Sequence, residues 1–262
     1  MARTRVLDTT VDVGASHPTD TEQVSFDEVS MTYATGTVAL QDVSLPVRAG
    51  EFVAIVGPSG CGKSTLLRLA AGLERPTSGS VVVGSASVGF IFQDPNLLPW
   101  ASVRRNAALL TELAGMDPTL RKERVAASLA AVGLDGFADQ LPKSLSGGMR
   151  MRVSLARAMA LEPDVLLLDE PFGALDELTR QEMQMQLLSL YDRERFTALF
   201  VTHSVDEAVL LADRVVVMSA RPGRIAAVVD VDLERPRGPE LRFEPDYVEC
   251  VRTIAEHLRR DR

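Results

Sequence analysis

The stretch Gly57-Pro58-Ser59-Gly60-Cys61-Gly62-Lys63-Ser64-Thr65 constrains this chain more than any other. It places Gly57, Gly62, Lys63 and Ser64 at the fixed positions of the pattern G-x-x-x-x-G-K-[ST]. The apolar run Phe52-Val53-Ala54-Ile55-Val56 precedes it, and Leu66-Leu67-Arg68-Leu69-Ala70 follows. That order predicts a strand, a glycine-rich turn and a helix. Such a turn aims backbone N–H groups at one point, and the helix N-terminus adds positive partial charge there. The result is a phosphate cradle, in which Lys63 would reach the β- and γ-phosphates and the Ser64 hydroxyl would ligate Mg²⁺. A chance glycine-rich turn is the plain alternative, and the flanking strand and helix weigh against it.

Length and composition narrow the rest. The 262 residues suit one large domain or a domain with appendages, and a 46% hydrophobic fraction can build a core. No apolar run approaches the roughly 18 residues of a membrane-spanning helix. Residues 1 to about 22 are basic in places but carry no apolar core of a secretory signal, and are expected to be a flexible lead. The formal charge of −8 argues against a nucleic-acid partner. Lysine occurs only at Lys63, Lys122 and Lys143, so Arg carries most positive charge. Cys61 and Cys250 form no metal-spaced cluster and fit a reducing compartment. Cys61 reads more simply as a small loop residue than as a redox switch.

Along the chain, Val24 to Val47 reads as strands joined by the Ala34-Thr35-Gly36 turn. Arg75-Pro76-Thr77-Ser78-Gly79 is a turn cluster. Strands are expected at Val81–Val83 and Val88–Phe92, with a tight turn at Gly84-Ser85. The pattern is then helical from Pro99 to Ala160, with helices over Val103–Ala114, Leu120–Val132 and Gly148–Leu161, the second stopped by Gly133. Val165–Leu168 is a continuous apolar strand of the kind buried in parallel sheets. A helix over Leu178–Asp192, a strand over Thr197–Val201, a helix over Val205–Leu211 and a strand over Arg214–Met218 follow. A last helix is expected over Pro245–Arg259. The fold class is therefore α/β: a P-loop (RecA-like) nucleotide-binding core, an N-terminal antiparallel β subdomain and an inserted α-helical subdomain. The expected division is a lead at 1–22, a nucleotide-binding domain at 23–230 with its helical insertion near 97–160, and a tail with a helix at 231–262.

Two further motifs carry chemistry. Asp169-Glu170 ends an apolar strand, where Asp169 can hold Mg²⁺ and Glu170 can take a proton from an attacking water. Acidic pairs in that position also serve as helix N-caps. Leu145-Ser146-Gly147-Gly148-Met149 opens a predicted helix and would form a second anion site, or simply an N-cap at Ser146.

GPSGCGKST, Gln93, LSGGM, VLLLDE, GALD and His203 stand in the order found in ATP-binding-cassette ATPases, and the chain resembles that family from about Val24 to Asp230. The resemblance implies ATP and Mg²⁺ as cofactors. It implies that Tyr33 stacks on adenine and that Gln93 touches Mg²⁺ and senses the γ-phosphate. By the same resemblance Asp169 is the Mg²⁺-associated carboxylate, Glu170 the general base and His203 the switch histidine. Asp176, in Gly173-Ala174-Leu175-Asp176, matches the loop that communicates across a dimer. In this family two subunits pack head to tail, so that ATP lies between the phosphate loop of one and the Ser146-Gly147-Gly148 motif of the other. Met149 departs from the pattern, which has Gln there, and the segment from Val83 to Val88 is shorter than usual.

Gln93-Asp94-Pro95-Asn96-Leu97-Leu98-Pro99-Trp100, Phe172 to Arg180, Thr202 to Ala208 and Met218 to Ile225 resemble the ATPases of nitrate/sulfonate/taurine-type importers. That implies a second ATPase subunit, a transmembrane permease and, indirectly, an extracytoplasmic solute-binding protein, with this chain peripheral on the cytoplasmic face of the membrane. Leu97, Leu98 and Trp100 are expected to help form a groove for a permease helix; burial in the helical insertion is the alternative. A soluble cassette ATPase outside transport and an exporter subunit are the rival functions. The single cassette, short insertion and negative charge speak against the first, and the lack of a fused membrane domain against the second.

Overall fold

The computed structural model describes residues 22–85 and 87–260. The expected lead lies outside them, except that Glu22 already opens the first strand. In chain order the elements are β1 (Glu22–Thr32), β2 (Val38–Arg48), β3 (Phe52–Val56), α1 (Lys63–Ala70), β4 (Ser78–Val83), β5 (Val88–Ile91), α2 (Val103–Leu113), α3 (Pro118–Ala131), α4 (Gly147–Met159), β6 (Val165–Asp169), α5 (Glu177–Glu194), β7 (Thr197–Thr202), α6 (Val205–Leu211), β8 (Arg214–Met218), β9 (Ile225–Asp230) and α7 (Pro245–Arg260). They fall into two compact units, residues 22–85 with 195–260, and residues 87–194.

The first unit holds two sheets. In the antiparallel one, of order β2-β1-β4, Phe26 faces Leu45 and Val29 faces Val43. Val24, Phe26, Val29 and Met31 point inward, as an antiparallel sheet with one wet face requires. The other sheet carries β7, β3 and β8 in parallel and β9 antiparallel at its edge. Every residue of β3 and of β7 is buried, which explains their uninterrupted apolar sequences. Val56 pairs with Thr202, so the chain leaves the sheet at Gly57 and at His203 from neighbouring strand ends.

In the second unit β5 and β6 are parallel, with Ile91 opposite Leu168. Gln93 and Asp169 thus follow or close adjacent strands at the same edge. Helices α2 and α3 pack with α4 through Val103, Ala107, Val125, Leu129, Met151 and Val153, all buried. Their starts are capped by Ser102, Asp117 and Ser146.

Three details differ from expectation. The strands on either side of Gly84-Ser85 do not form a hairpin, because β4 pairs with β1 and β5 with β6. Valine-rich strands suit either partner, and long-range pairing decides. Ser78-Gly79 belongs to β4 rather than to a turn: Gly79 has φ +78°, and a Cβ there would strike the carbonyls of Asp27 and Glu28 at the β1 bulge. β9 was not anticipated. In addition, α3 begins at Pro118, since Asp117 caps it and proline suits the first helical position.

Candidate functional site

The phosphate loop runs from the end of β3 into α1. Gly62 has φ +105°, and a Cβ there would stand 2.7 Å from Ala39 O and from Leu40 Cδ2. A Cβ on Gly57 would stand 3.0 Å from Met218 O and 2.9 Å from Cys61 Sγ. The glycines are therefore dictated by backbone packed behind the loop. A further strand-end segment braces it: Arg221 Nε donates to Gly60 O at 3.1 Å, and the backbone of Gly223 exchanges hydrogen bonds with Ala39 and Gln41. Lys63 is only 5% exposed and donates Nζ to Gly57 O at 2.9 Å and Pro58 O at 3.0 Å. Its ammonium is thus held within the concavity of the loop, where a polyphosphate would replace neutral carbonyls by a charged acceptor. Thr65 shares a 3.0 Å hydrogen bond with the Tyr33 hydroxyl, which fixes the half-buried Tyr33 ring against the start of α1. Cys61 is buried, and burial raises its thiol above the usual value despite Lys63 nearby.

His203, in the same unit, is exposed immediately after β7. The residues around it form a local hydrogen-bond network that caps α6. Ser204 Oγ accepts from Glu207 N at 3.3 Å, and Thr202 Oγ1 bonds buried Glu207 at 2.5 Å and accepts from Ser204 N at 3.0 Å. The backbone is thereby fixed on both sides of the histidine.

In the second unit Asp169 ends β6 and Glu170 follows in the left-handed region, φ +45°. That conformation is costly for a residue with a side chain and concentrates at functional positions. Gly173 N donates to Glu170 O at 3.1 Å, and a Cβ on Gly173 would lie 3.6 Å from Gln93 Nε2 and 3.8 Å from Glu170 Oε2. Gln93 and the Glu170 carboxylate therefore share one open space above the β5 and β6 ends. The Gln93 loop is fastened from α4, where buried Arg157 donates to Pro95 O at 2.7 Å and Asn96 O at 3.1 Å. Buried Asn106 holds the following segment through Leu98 and Ala101. Neither Arg157 nor Asn106 was anticipated; buried polar residues in apolar helix faces are the signal for them.

Ser146 caps α4, its Oγ accepting from Met149 N at 3.2 Å, while Ser146 and Gly147 are exposed and Gly148 is buried. The cap leaves room for an anion, because it consumes only one N–H. Asp176 caps α5 by accepting from Thr179 N at 3.1 Å, and that hydrogen bonding holds its carboxyl below the usual carboxylate range. Trp100 is 76% exposed, which rules out its burial in the insertion; Leu97 and Leu98 are half-buried.

Among the described residues no cluster of three or more His, Cys, Asp and Glu is placed to hold a metal ion. Within the second unit the Gln93 amide and the Asp169 carboxylate stand on adjacent strand ends, and in the first unit Ser64 offers a hydroxyl; these are oxygen donors of the kind Mg²⁺ takes. None of the described helices is long and apolar enough to cross a membrane.

Residues 40–173 match the family model described as ABC transporter. A putative ATP-binding protein of Brucella abortus (strain 2308) is 50% identical over 232 residues, 86% of this chain and 89% of its own. The aliphatic sulfonates import ATP-binding protein SsuB 1 of Mesorhizobium japonicum is 53% identical over 207 residues, 76% of each chain. Among solved structures, the dimeric post-hydrolysis state of the ATP-binding cassette MJ0796 bound to ADP and Pi superimposes with TM-score 0.71 at 31% identity, covering 80% of this chain and all of that one.

Proposed function

This chain belongs to the ATP-binding-cassette ATPases of ABC transporters, and we propose that it energises import of a small solute through a separate permease. As an ATPase it cleaves ATP with water to ADP and phosphate. The importer reading is carried by one observation, the 53% identity to a sulfonate import ATP-binding protein. The solute belongs to the same chemical range, a nitrate-, sulfonate- or taurine-like anion or a related small organic compound.

Each candidate residue has a role in that reaction. Gly57 to Thr65 wrap the phosphates with backbone N–H groups, and Lys63 exchanges its loop carbonyls for phosphate oxygens. Tyr33, held through Thr65, offers a ring face to adenine. Ser64, Gln93 and Asp169 would hold Mg²⁺, whose contribution is to neutralise phosphate charge. Glu170 takes the proton of the attacking water, from a backbone held in the left-handed region beside Gln93. His203 contacts the γ-phosphate, and Ser146, Gly147 and Gly148 present the start of α4 to the nucleotide of a second, identical subunit. Asp176 carries the state of one site towards the other. The catalysis is positional and electrostatic, without a covalent intermediate.

The partners follow from that layout: a homodimer of cassettes, a permease docked near Leu97, Leu98 and Trp100, and through it an extracytoplasmic binding protein. The chain sits peripherally on the cytoplasmic face of the membrane. Glu170→Gln tests the mechanism. Turnover should fall about 10²–10⁴-fold while ATP affinity is kept and a closed dimer accumulates. Near-normal turnover would remove Glu170 from the role of base. Co-purification of a permease and a solute-binding protein with the chain from its native membrane tests the importer assignment.

A further inference from the structure

The C-terminal segment grips α6 at both ends, and α6 starts two residues after His203. At its C-terminal end, buried Arg237 donates to the carbonyls of Val209, Leu210 and Ala212 at 3.1, 3.2 and 2.7 Å. Its other terminal nitrogen donates to Val231 O and Leu233 O, which ties the same guanidinium to the strand exit. Arg235 adds Leu211 O at 2.7 Å and Asp213 Oδ1 at 2.8 Å. Orphan carbonyls at a helix end need such donors, and a cation there also complements the helix dipole.

At the N-terminal end the contact is Asp206. Tyr247 of α7, 2% exposed, places its hydroxyl 2.8 Å from both Asp206 O and Asp206 Oδ1 and donates to them. Arg242 forms an ion pair with Asp206 Oδ2 at 3.1 Å. Cys250 and Ile254 of α7 are buried beside Tyr247 on the same helix face. A seven-residue helix is too short to be stable alone, so its placement depends on these contacts together with its packing on β3, β7 and β8.

We propose that residues 235–254 are a built-in brace for the switch histidine, with Tyr247, Arg242 and Arg237 as positioning residues. On its upstream side His203 is fixed by β7, which is paired with β3. On its downstream side the Ser204 cap belongs to α6, which is held on one side by β3, β7 and β8 and on the other by the tail. Weakening the tail's hold on α6 frees one flank of His203, while the phosphate loop keeps its own hydrogen bond from Arg221 and its brace at Gly223. The tail thereby acts on turnover and not on nucleotide capture. This rests on the role given to His203 above.

Tyr247→Phe removes both hydrogen bonds and keeps the ring. In the full-length chain, amide exchange at residues 203–206 should quicken about tenfold, with that of Gly57 to Ser64 unchanged. Turnover should fall about three- to tenfold with KM for ATP within about twofold. Asp206→Asn, at a half-exposed position, should do the same by losing the ion pair, and serves if Tyr247→Phe folds poorly. On a His203→Ala background Tyr247→Phe should leave the residual turnover unchanged. Unaltered exchange at 203–206, or an equal further loss of turnover on that background, would overturn the brace. Normal turnover in His203→Ala alone would instead overturn the switch role, and the exchange result would still decide whether the tail holds this loop.

Discussion

At the start of α1, Gly62 holds φ +105° and leaves no room for a Cβ beside Ala39 O; at the start of α4, a Cβ on Gly148 would meet the Thr179 Cγ2 methyl. Both glycines stand at helix starts, where N–H groups of the first turn are left without intrahelical partners. The obstacles behind them differ in kind. Behind Gly62 stand the Ala39 carbonyl, the Leu40 side chain and a left-handed backbone, and of these only the Leu40 side chain could yield. Behind Gly148 stands one methyl group of α5, in the loop region that Asp176 caps. The phosphate loop is thus a fixed concavity, complete within its own unit. The α4 start is an exposed edge whose close packing serves α5 and whose proposed anion site would need a nucleotide brought by another chain.

Gly62→Ala should break the first half of that comparison most severely. The strained φ alone costs about 1–3 kcal/mol, before the contact with Ala39 O. ATP affinity should fall about 100-fold or more in a fluorescent-nucleotide titration, the equivalent of about 2.7 kcal/mol. Trimming Leu40 to Ala in the same chain should not restore it. Recovery there would show that the loop is shaped by side chains after all.

Gly148→Ala should be milder and repairable. Turnover should drop about tenfold, with ATP binding by the isolated chain unchanged, because the methyl clash displaces α4 relative to α5 and not the phosphate loop. Thr179→Ser keeps the hydroxyl and removes Cγ2, so Gly148→Ala/Thr179→Ser should regain turnover to within about twofold. Failure of that rescue would mean that Gly148 is required by the nucleotide itself.

These two glycines also mark where sequence reading succeeds and stops. The phosphate loop and its strand were legible because local pattern and tertiary role coincide: Phe52–Val56 is an apolar run and is wholly buried. The capping role of Ser146 was legible from its place before a helix. The reason for Gly148 was not, since Thr179 is distant in sequence and only packing brings them together. The same holds for Gly79, read as a turn residue because the β1 bulge facing it leaves no local mark. β9 was missed because Ile225–Asp230 is short and half-buried, and its pairing with β8 supplies the order that its own sequence lacks. Arg157 and Arg237 escaped notice because a single arginine gains its meaning only from the carbonyls that surround it.

The smallest expected effect concerns the buried thiols of the first unit, above all that of the phosphate loop. Cys61 lies under the phosphate loop, against Gly57 and Gly223, and Cys250 lies under α7. Burial raises both thiols, Cys250 up to about 11, so both stay protonated at neutral pH. The thiolate is the reactive form, and access is also restricted. The native chain at pH 7 should therefore take up iodoacetamide at least about tenfold more slowly than the unfolded chain, and its ATPase activity should survive treatment. The sign of the pH dependence follows: both folded pKa values lie above the unfolded thiol value of about 9, so the stability contribution is intact below pH 9 and is lost as pH rises through the folded values. Cys61→Ala should change turnover by less than about twofold, since the cradle's shape comes from Gly57, Gly62 and the backbone behind them. Rapid inactivation by the thiol reagent in wild type but not in Cys61→Ala would instead make Cys61 a redox-sensitive element of the loop, and the phosphate cradle would no longer be the fixed half of the comparison.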